Sequence, residues 1–367
     1  MTTGFFWDEK CFWHGGGNYC FMAPVGGLVQ PAASGGLPES PETKRRLKNL
    51  LDVTGLIGEL QAGSAPEVTE EDLRRIHPSE FLATFKTLSD QGGGETGMRA
   101  PFGPGGYEIA KLSAGLAKAA LFAVLDGTQT NSYALSRPPG HHCLPDWQNG
   151  FCLLANIAIA AEAAIAQGKA ARVAVLDWDV HHGNGTEAIF YDRDDVLTIS
   201  IHQERNYPMD TGDFDARGDG KGLGCNLNIP LPAGTGHVGY MAALDRLALP
   251  AIRAFQPDVI IVACGFDAIG YDPLGRMLAT QETFREMTHA TMETAKDVCG
   301  GRVVMVHEGG YSELQVPFAA HAVLEEMSGS AIRAVDPFQA TFEKRQPGPG
   351  FDAYVDGLID DMAATLG

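Results

Sequence analysis

Six short, largely apolar runs recur along the last two thirds of the chain: Ser132–Ser136, Arg172–Leu176, Val196–Ile201, Asn226–Leu231, Val259–Ala263 and Arg302–Val306. Polar turns bound each run, and their length and composition are those of buried strands. The Ala-rich stretch Glu108–Asp126 has helical periodicity, and further helical stretches follow at Leu153–Gln167, His237–Phe255 and Glu282–Cys299. A chain that alternates buried strand with helix is constrained to a mostly parallel sheet covered on both faces. In such sheets ligands bind beyond the C-terminal ends of the strands. Those ends are where chemistry is expected.

The first hundred residues are read as irregular. Gly and Pro punctuate Gly15–Pro41, a helix is expected from Pro41 to about Leu51, and one or two more fall over Asp72–Leu88. Gln91–Gly106 is a glycine-rich loop. A length of 367 residues suggests two domains at roughly 150 residues each. No repeat or low-complexity linker divides the chain, so a single domain over 1–367 is expected, with a core over about 5–330 and a helical tail from about 331.

Composition excludes several classes. Hydrophobic residues make up 44% and charged residues 20%, which rules out a wholly disordered or collagen-like chain. The 46 acidic residues outnumber the 27 basic ones, for a net charge of −19. A non-specific nucleic-acid binder should be basic. An anionic surface suits solubility and a cationic substrate. The most apolar helical run, Leu153–Ala166, is interrupted by Asn156 and Glu162, so no membrane span is expected. Asp8, Glu9 and Lys10 break up the aromatic N-terminus, which has no secretory pattern. Seven scattered cysteines without a CxxC pair fit reduced thiols in a cytoplasm.

Four expected strand ends carry polar clusters: RPPGHH (Arg137–His142), DWDVHHGNG (Asp177–Gly185), CGFDAIGYDP (Cys264–Pro273) and HEGGY (His307–Tyr311). Asp177, Asp179 and His181 are spaced by two, which in an extended strand puts them on one side. Asp179 and His181 could both ligate a metal there; the bland alternative is a helix cap beside packed histidines. Asp267 follows a buried strand and needs a partner or a metal; a cap or an ion pair would also serve. Two Asp and one His suit zinc with an open fourth position, and equally ferrous iron or cobalt. His141 and His142 sit on a stiff Pro-Pro-Gly loop, where a neutral imidazole can take and return a proton. Tyr311 can donate a hydrogen bond to a developing oxyanion, or simply pack.

Together with GFC (Gly150–Cys152), SIH (Ser200–His202), GFDA (Gly265–Ala268) and EGGY, these segments resemble the zinc-dependent histone deacetylase superfamily, collinearly over roughly residues 5–330. The superfamily includes bacterial histone deacetylase-like amidohydrolases and acetylpolyamine amidohydrolases. PPGHH and Asn184 are similar to class II members, where class I carries Asp at the latter position, and the bacterial class II-like amidohydrolases match most closely. The resemblance implies an α/β fold: one arginase/deacetylase-like domain with an eight-stranded, mostly parallel sheet, helices on both faces and long active-site loops. It implies zinc on Asp179, His181 and Asp267. It makes His142 the general base and acid and His141 its companion, with Asp177 behind His141 and Asn184 behind His142. Tyr311 then polarises the carbonyl, the Gly150 carbonyl accepts the substrate amide, and Phe151 and Tyr207 wall the channel, Tyr207 standing where many members have Phe. Potassium is implied at two sites: Asp177, Asp179, His181, Ser200 and Ile201, and then Phe190, Arg193 and Val196.

The implied function is hydrolysis of acetyl or other acyl groups from lysine side chains or similar linear amides. An acetylpolyamine deacetylase and a non-catalytic metal- or acyl-binding pseudoenzyme are the alternatives. Polyamine-selective relatives place a glutamate at the rim position where this chain has Leu274. An apolar rim attracts no second cation, which favours acyl-lysine, whereas the net charge of −19 favours polycations. Acyl-lysine peptides, small acylated amines and hydroxamate inhibitors are the expected partners, with a second copy of the chain as a further candidate, and neither nucleic acid nor membrane. The sequence names neither the natural substrate nor the acyl length.

Overall fold

The computed structural model of the chain describes residues 2–15, 17, 19–24 and 36–366. Residues 25–35 of the Gly/Pro-punctuated stretch and the last residue of the expected tail lie outside the described residues. Eight strands form one sheet: β1 (Thr3–Phe6), β2 (Gln61–Gly63), β3 (Asn131–Ala134), β4 (Val173–Asp177), β5 (Val196–Gln203), β6 (Asn226–Leu231), β7 (Val259–Cys264) and β8 (Val303–His307). Their order is β2-β1-β3-β8-β7-β4-β5-β6, and every pairing is parallel. This is the α/β arginase/deacetylase-like sheet.

The six expected strands are present within a few residues of their expected bounds. The first hundred residues are less irregular than expected. They supply β1 and β2 and the helices Glu42–Thr54, Glu70–Arg74 and Ser79–Asp90. Neither short glycine-bearing strand announces itself by alternation. Their partners define them: β1 lies between β2 and β3, with Phe5 opposite Tyr133.

Packing explains the rest. Every residue of β4, β5, β7 and β8 is buried. Successive side chains point to opposite faces, so both faces are covered. Each buried Val or Ile contributes about 1.5–3 kcal/mol. A charge at Ile261, which is 1% exposed, would forfeit this and add an unpaired buried ion. The helix Gln281–Cys299 starts at a capping box between Thr280 and Thr283 and stops at Gly300, whose φ of 64° is left-handed. The helix Gly106–Leu125 runs so close to the preceding segment that a Cβ at Gly115 would collide with the Pro66 carbonyl. The expected His237–Phe255 helix contains a wider π turn over Leu244–Ala248. No helix among the described residues is long and apolar enough to cross a membrane.

For the site, the decisive fact is adjacency. β3, β8, β7 and β4 are consecutive neighbours at the middle of the sheet. Their C-terminal ends lead into RPPGHH, HEGGY, CGFDAIGYDP and DWDVHHGNG, so four distant sequence segments meet at one edge.

Candidate active site

Asp177 ends β4, and Asp179 and His181 lie in the turn beyond it. The expectation that an extended strand aligns the three is therefore corrected. The turn aligns them instead: the amide of Asp179 donates to Asp177 Oδ1 and that of His181 to Asp179 Oδ1, each at 3.0 Å. Asp267 lies three residues past β7 and is tied to the same turn, since the Val180 amide donates to its Oδ1 at 2.7 Å.

One ligand atom from each of Asp179, His181 and Asp267 falls within a mutual distance of 4.8 Å, and all three residues are buried. His181 Nδ1 is 3.0 Å from both Asp179 Oδ1 and Asp267 Oδ2. Beyond that contact with the His181 ring, Asp267 Oδ2 has no hydrogen-bond partner. Burial and the neighbouring Asp179 charge push the Asp267 carboxyl up to about 7. A buried carboxyl pushed up by a second buried carboxylate suits a cation, and a His–Asp–Asp donor set suits a divalent metal such as zinc. Gly309 leaves the space open. A Cβ there would overlap Asp267 Oδ2, and would lie 2.6 Å from Asp179 Oδ2 and 3.1 Å from the Tyr311 hydroxyl. The residues present fit the metal.

The two histidines stand beside this cage with ring centroids 4.0 Å apart. His141 Nδ1 faces Asp177 Oδ2 at 2.9 Å. Burial alone would depress His141, but the carboxylates of Asp179 and Asp177 outweigh it and hold the ring up at about 10. His142 Nδ1 faces Asn184 Oδ1 at 2.8 Å. An amide oxygen only accepts, so Nδ1 carries the proton and Nε2 keeps a lone pair. Burial, then the neighbouring His141 and His181 charges, press His142 well below the usual imidazole range. Its neutral form prevails at pH 7.

A pocket of about 140 Å³ opens onto these groups. His142, His181, Gly150, Phe151, Tyr207, Leu274 and Tyr311 are among the residues that line it. Phe151 has a left-handed φ of 68°, held by its amide bonding to Arg99 O at 2.8 Å; such strain in a non-glycine residue is characteristic of sites. The Phe151 and Tyr311 rings meet at 5.7 Å. The Tyr311 amide is anchored on Asp272 Oδ2 at 2.7 Å. Burial, then the carboxylates of Asp267 and Asp179, raise the Tyr311 phenol far above its ordinary range, so it remains a donor.

The remaining expected residues are placed less tellingly. Asp177 pairs with Ser200 across β4 and β5, but Ser200 Oγ faces His202 Nδ1 at 2.9 Å. A minute cavity of about 10 Å³ touches Asp177 and Ser200 without reaching Asp179, His181 or Ile201. The Phe190 carbonyl accepts from the Arg193 amide at 3.1 Å, ahead of Val196 at the start of β5. A second cluster, His141, Cys152 and Glu308, is also compact. There Glu308 Oε2 takes the amides of Gly140 and His141, and burial pushes the Cys152 thiol up, so it stays neutral.

Sequence reasoning missed Met22, Arg99 and Asn206 at the pocket, and the spacing role of Gly309 within the HEGGY motif. The first three sit on loops, where no periodicity marks them.

Residues 37–327 match the family model described as the histone deacetylase domain. A histone deacetylase-like amidohydrolase from Pseudomonas aeruginosa is 54% identical over 365 residues, covering 100% of this chain and 96% of that one. A probable deacetylase from Archaeoglobus fulgidus is 36% identical over 81% of this chain and 84% of its own length. The crystal structure of the HDA15 HD domain superposes with a TM-score of 0.80 at 31% identity, covering 100% of this chain and 98% of that one. The carboxylate–histidine cage beneath paired histidines thus sits in a sheet, and in a sequence, that place this chain in the histone deacetylase family.

Proposed function

We propose that this hydrolase removes acyl groups from lysine side chains or similar linear amides, using zinc held by Asp179, His181 and Asp267. The observation that carries the reading is the convergence of Asp267 Oδ2 and Asp179 on the His181 ring, beside a pocket that His181 and neutral His142 line. Zinc in that cage supplies Lewis acidity toward water and an acyl oxygen.

The chain's own groups do the rest. His142 Nε2 takes a proton from water as its oxygen adds to the amide carbon. His142 then returns that proton to the leaving amine, so that carboxylic acid and amine separate with no net change at the ring. Tyr311 donates its phenolic proton in a hydrogen bond to the acyl oxygen as charge gathers there, a contact typically worth about 3–4 kcal/mol of barrier. Asp177 holds His141, and Asn184 sets the tautomer of His142. The Gly150 carbonyl accepts the substrate amide N–H, while Phe151 and Tyr207 flank the alkyl chain and exclude water. Potassium belongs to the same reading as a structural ion at the two backbone-oxygen sets around Asp177 and Phe190.

An acetylpolyamine deacetylase would use the same machinery. Leu274 in the pocket lining weighs against it, and the net charge of −19 weighs for it. Acetate release from an acetyl-lysine peptide, compared with release from an acetylated polyamine, separates the two. Faster turnover of the peptide upholds the reading. Turnover of the polyamine alone reassigns the substrate, and release of acetate from neither leaves only a binding protein.

A further inference from the structure

Resting on the deacylase reading, one group at the pocket mouth bears on which substrates enter. Among the described residues lining the pocket, Arg99 is the only acidic or basic side chain, histidines aside. No carboxylate oxygen of the described residues lies within 4.0 Å of it. The nearby Glu95 carboxylate makes no ion pair with it and instead accepts the Ala100 amide at 2.8 Å.

Three features hold Arg99 in place. Its backbone is left-handed, with φ at 56°, a conformation that costs about 1–2 kcal/mol in a non-glycine residue. Its carbonyl accepts the Phe151 amide at 2.8 Å, which joins its loop to the channel wall. Its guanidinium stacks over the Tyr207 ring at 5.3 Å from the centroid, which biases the exposed side chain toward the pocket wall. Tyr207 in turn donates to Asn149. Leu274, an apolar residue of the same pocket, is fixed: it donates its amide to Asp272 and accepts from the Asn206 side chain at 3.1 Å. A substrate whose acyl-amine end enters the pocket brings whatever flanks that amine near this cation, which no carboxylate pairs.

We propose that Arg99 is a specificity-determining residue that forms a carboxylate subsite at the mouth. It selects acylated amines that carry a carboxylate close to the alkyl-amine chain, such as an acidic residue flanking acyl-lysine, and it turns away polycations. Local charge at the mouth thereby opposes the net charge of the molecule. The guanidinium fork matches a carboxylate in two parallel hydrogen bonds, and a cation held 5–10 Å away is repelled with little screening at low salt.

The test uses three acetyl-lysine peptides identical except for flanking Asp, Gln or Lys, with kcat/KM measured at low ionic strength for the wild type, Arg99→Gln and Arg99→Glu. Exposed charge pairs are worth about 0.2–1 kcal/mol each, so the wild type should prefer the Asp over the Lys peptide by roughly three- to tenfold. That preference should collapse in Arg99→Gln, invert in Arg99→Glu, and shrink with added salt in the wild type. A merely structural role for Arg99 would scale all three peptides together, and the ratios would not move. Identical peptide ratios in wild type and Arg99→Glu overturn the inference while leaving the deacylase reading standing. No turnover of any peptide by the wild type overturns both.

Discussion

The Nδ1 atom of His142 stands 2.8 Å from an amide oxygen, that of Asn184, whereas the adjacent His141 faces the carboxylate of Asp177 at 2.9 Å. The two rings are nearly in contact, yet their environments drive them apart: His141 is held up at about 10 and His142 well below its ordinary value. The pair can therefore divide labour, with one ring charged and one ready to accept a proton.

Asn184→Asp tests that division. A carboxylate beside His142 stabilises its protonated form, so the pKa rises and the neutral base is lost at higher pH than before. The acid limb of the kcat/KM profile should move up by about one pH unit. An unmoved limb means that His142 does not handle the proton.

Gly309→Ala should empty the cage without unfolding the protein. The Gly309 backbone is not left-handed, so alanine is conformationally acceptable. Its methyl, however, would lie 2.6 Å from Asp179 Oδ2 and against Asp267 Oδ2. Metal content per chain, read by elemental analysis, should fall well below that of the wild type, with the melting temperature little changed. Full metal occupancy would show that the cage lies elsewhere.

Much of this was legible in the chain. The β-branched runs around Val259–Cys264 and Val303–His307 read as strands because they are buried on both faces. Clusters at four strand ends pointed to one edge. The strands Thr3–Phe6 and Gln61–Gly63 were not legible, because neighbours rather than local pattern define strands of three or four residues. Asp179 and His181 were read as site residues for a reason that fails: they leave the strand and are aligned by hydrogen bonds of a turn. Arg99 was invisible because its position depends on a left-handed loop residue and a ring 108 positions away, which no spacing rule encodes.

Acid stability should depend on His77. Its Nδ1 is 2.7 Å from Pro145 O and its Nε2 accepts the Ala155 amide at 3.2 Å, an arrangement only the neutral ring satisfies. Burial lowers it to about 4. The unfolded chain, with an ordinary histidine, binds the proton first, so stability is full above about pH 6.5 and is lost as pH falls toward 4. At pH 5 this group alone should cost about 2 kcal/mol relative to neutral pH. Unfolding titrations of His77→Gln should show a shallower loss between pH 7 and 5; an equal slope in both proteins contradicts the assignment.

Tyr311→Phe should keep fold and metal, change KM little, and lower kcat by roughly a hundredfold or more, because the phenol matters most as charge develops on the acyl oxygen. An amide-hydrolysis assay run beside a thermal melt separates this from a packing role. Near-wild-type kcat would remove Tyr311 from the mechanism.

The central claim is that Asp179, His181 and Asp267 hold the metal while His142 only moves protons. Its most direct measurement is metal content and acetate release, side by side, in Asp179→Ala and His142→Ala. The account predicts that Asp179→Ala loses both, and that His142→Ala keeps about one metal per chain while losing most of its turnover. Full metal and normal turnover in Asp179→Ala, or metal lost in step with activity in His142→Ala, would contradict it.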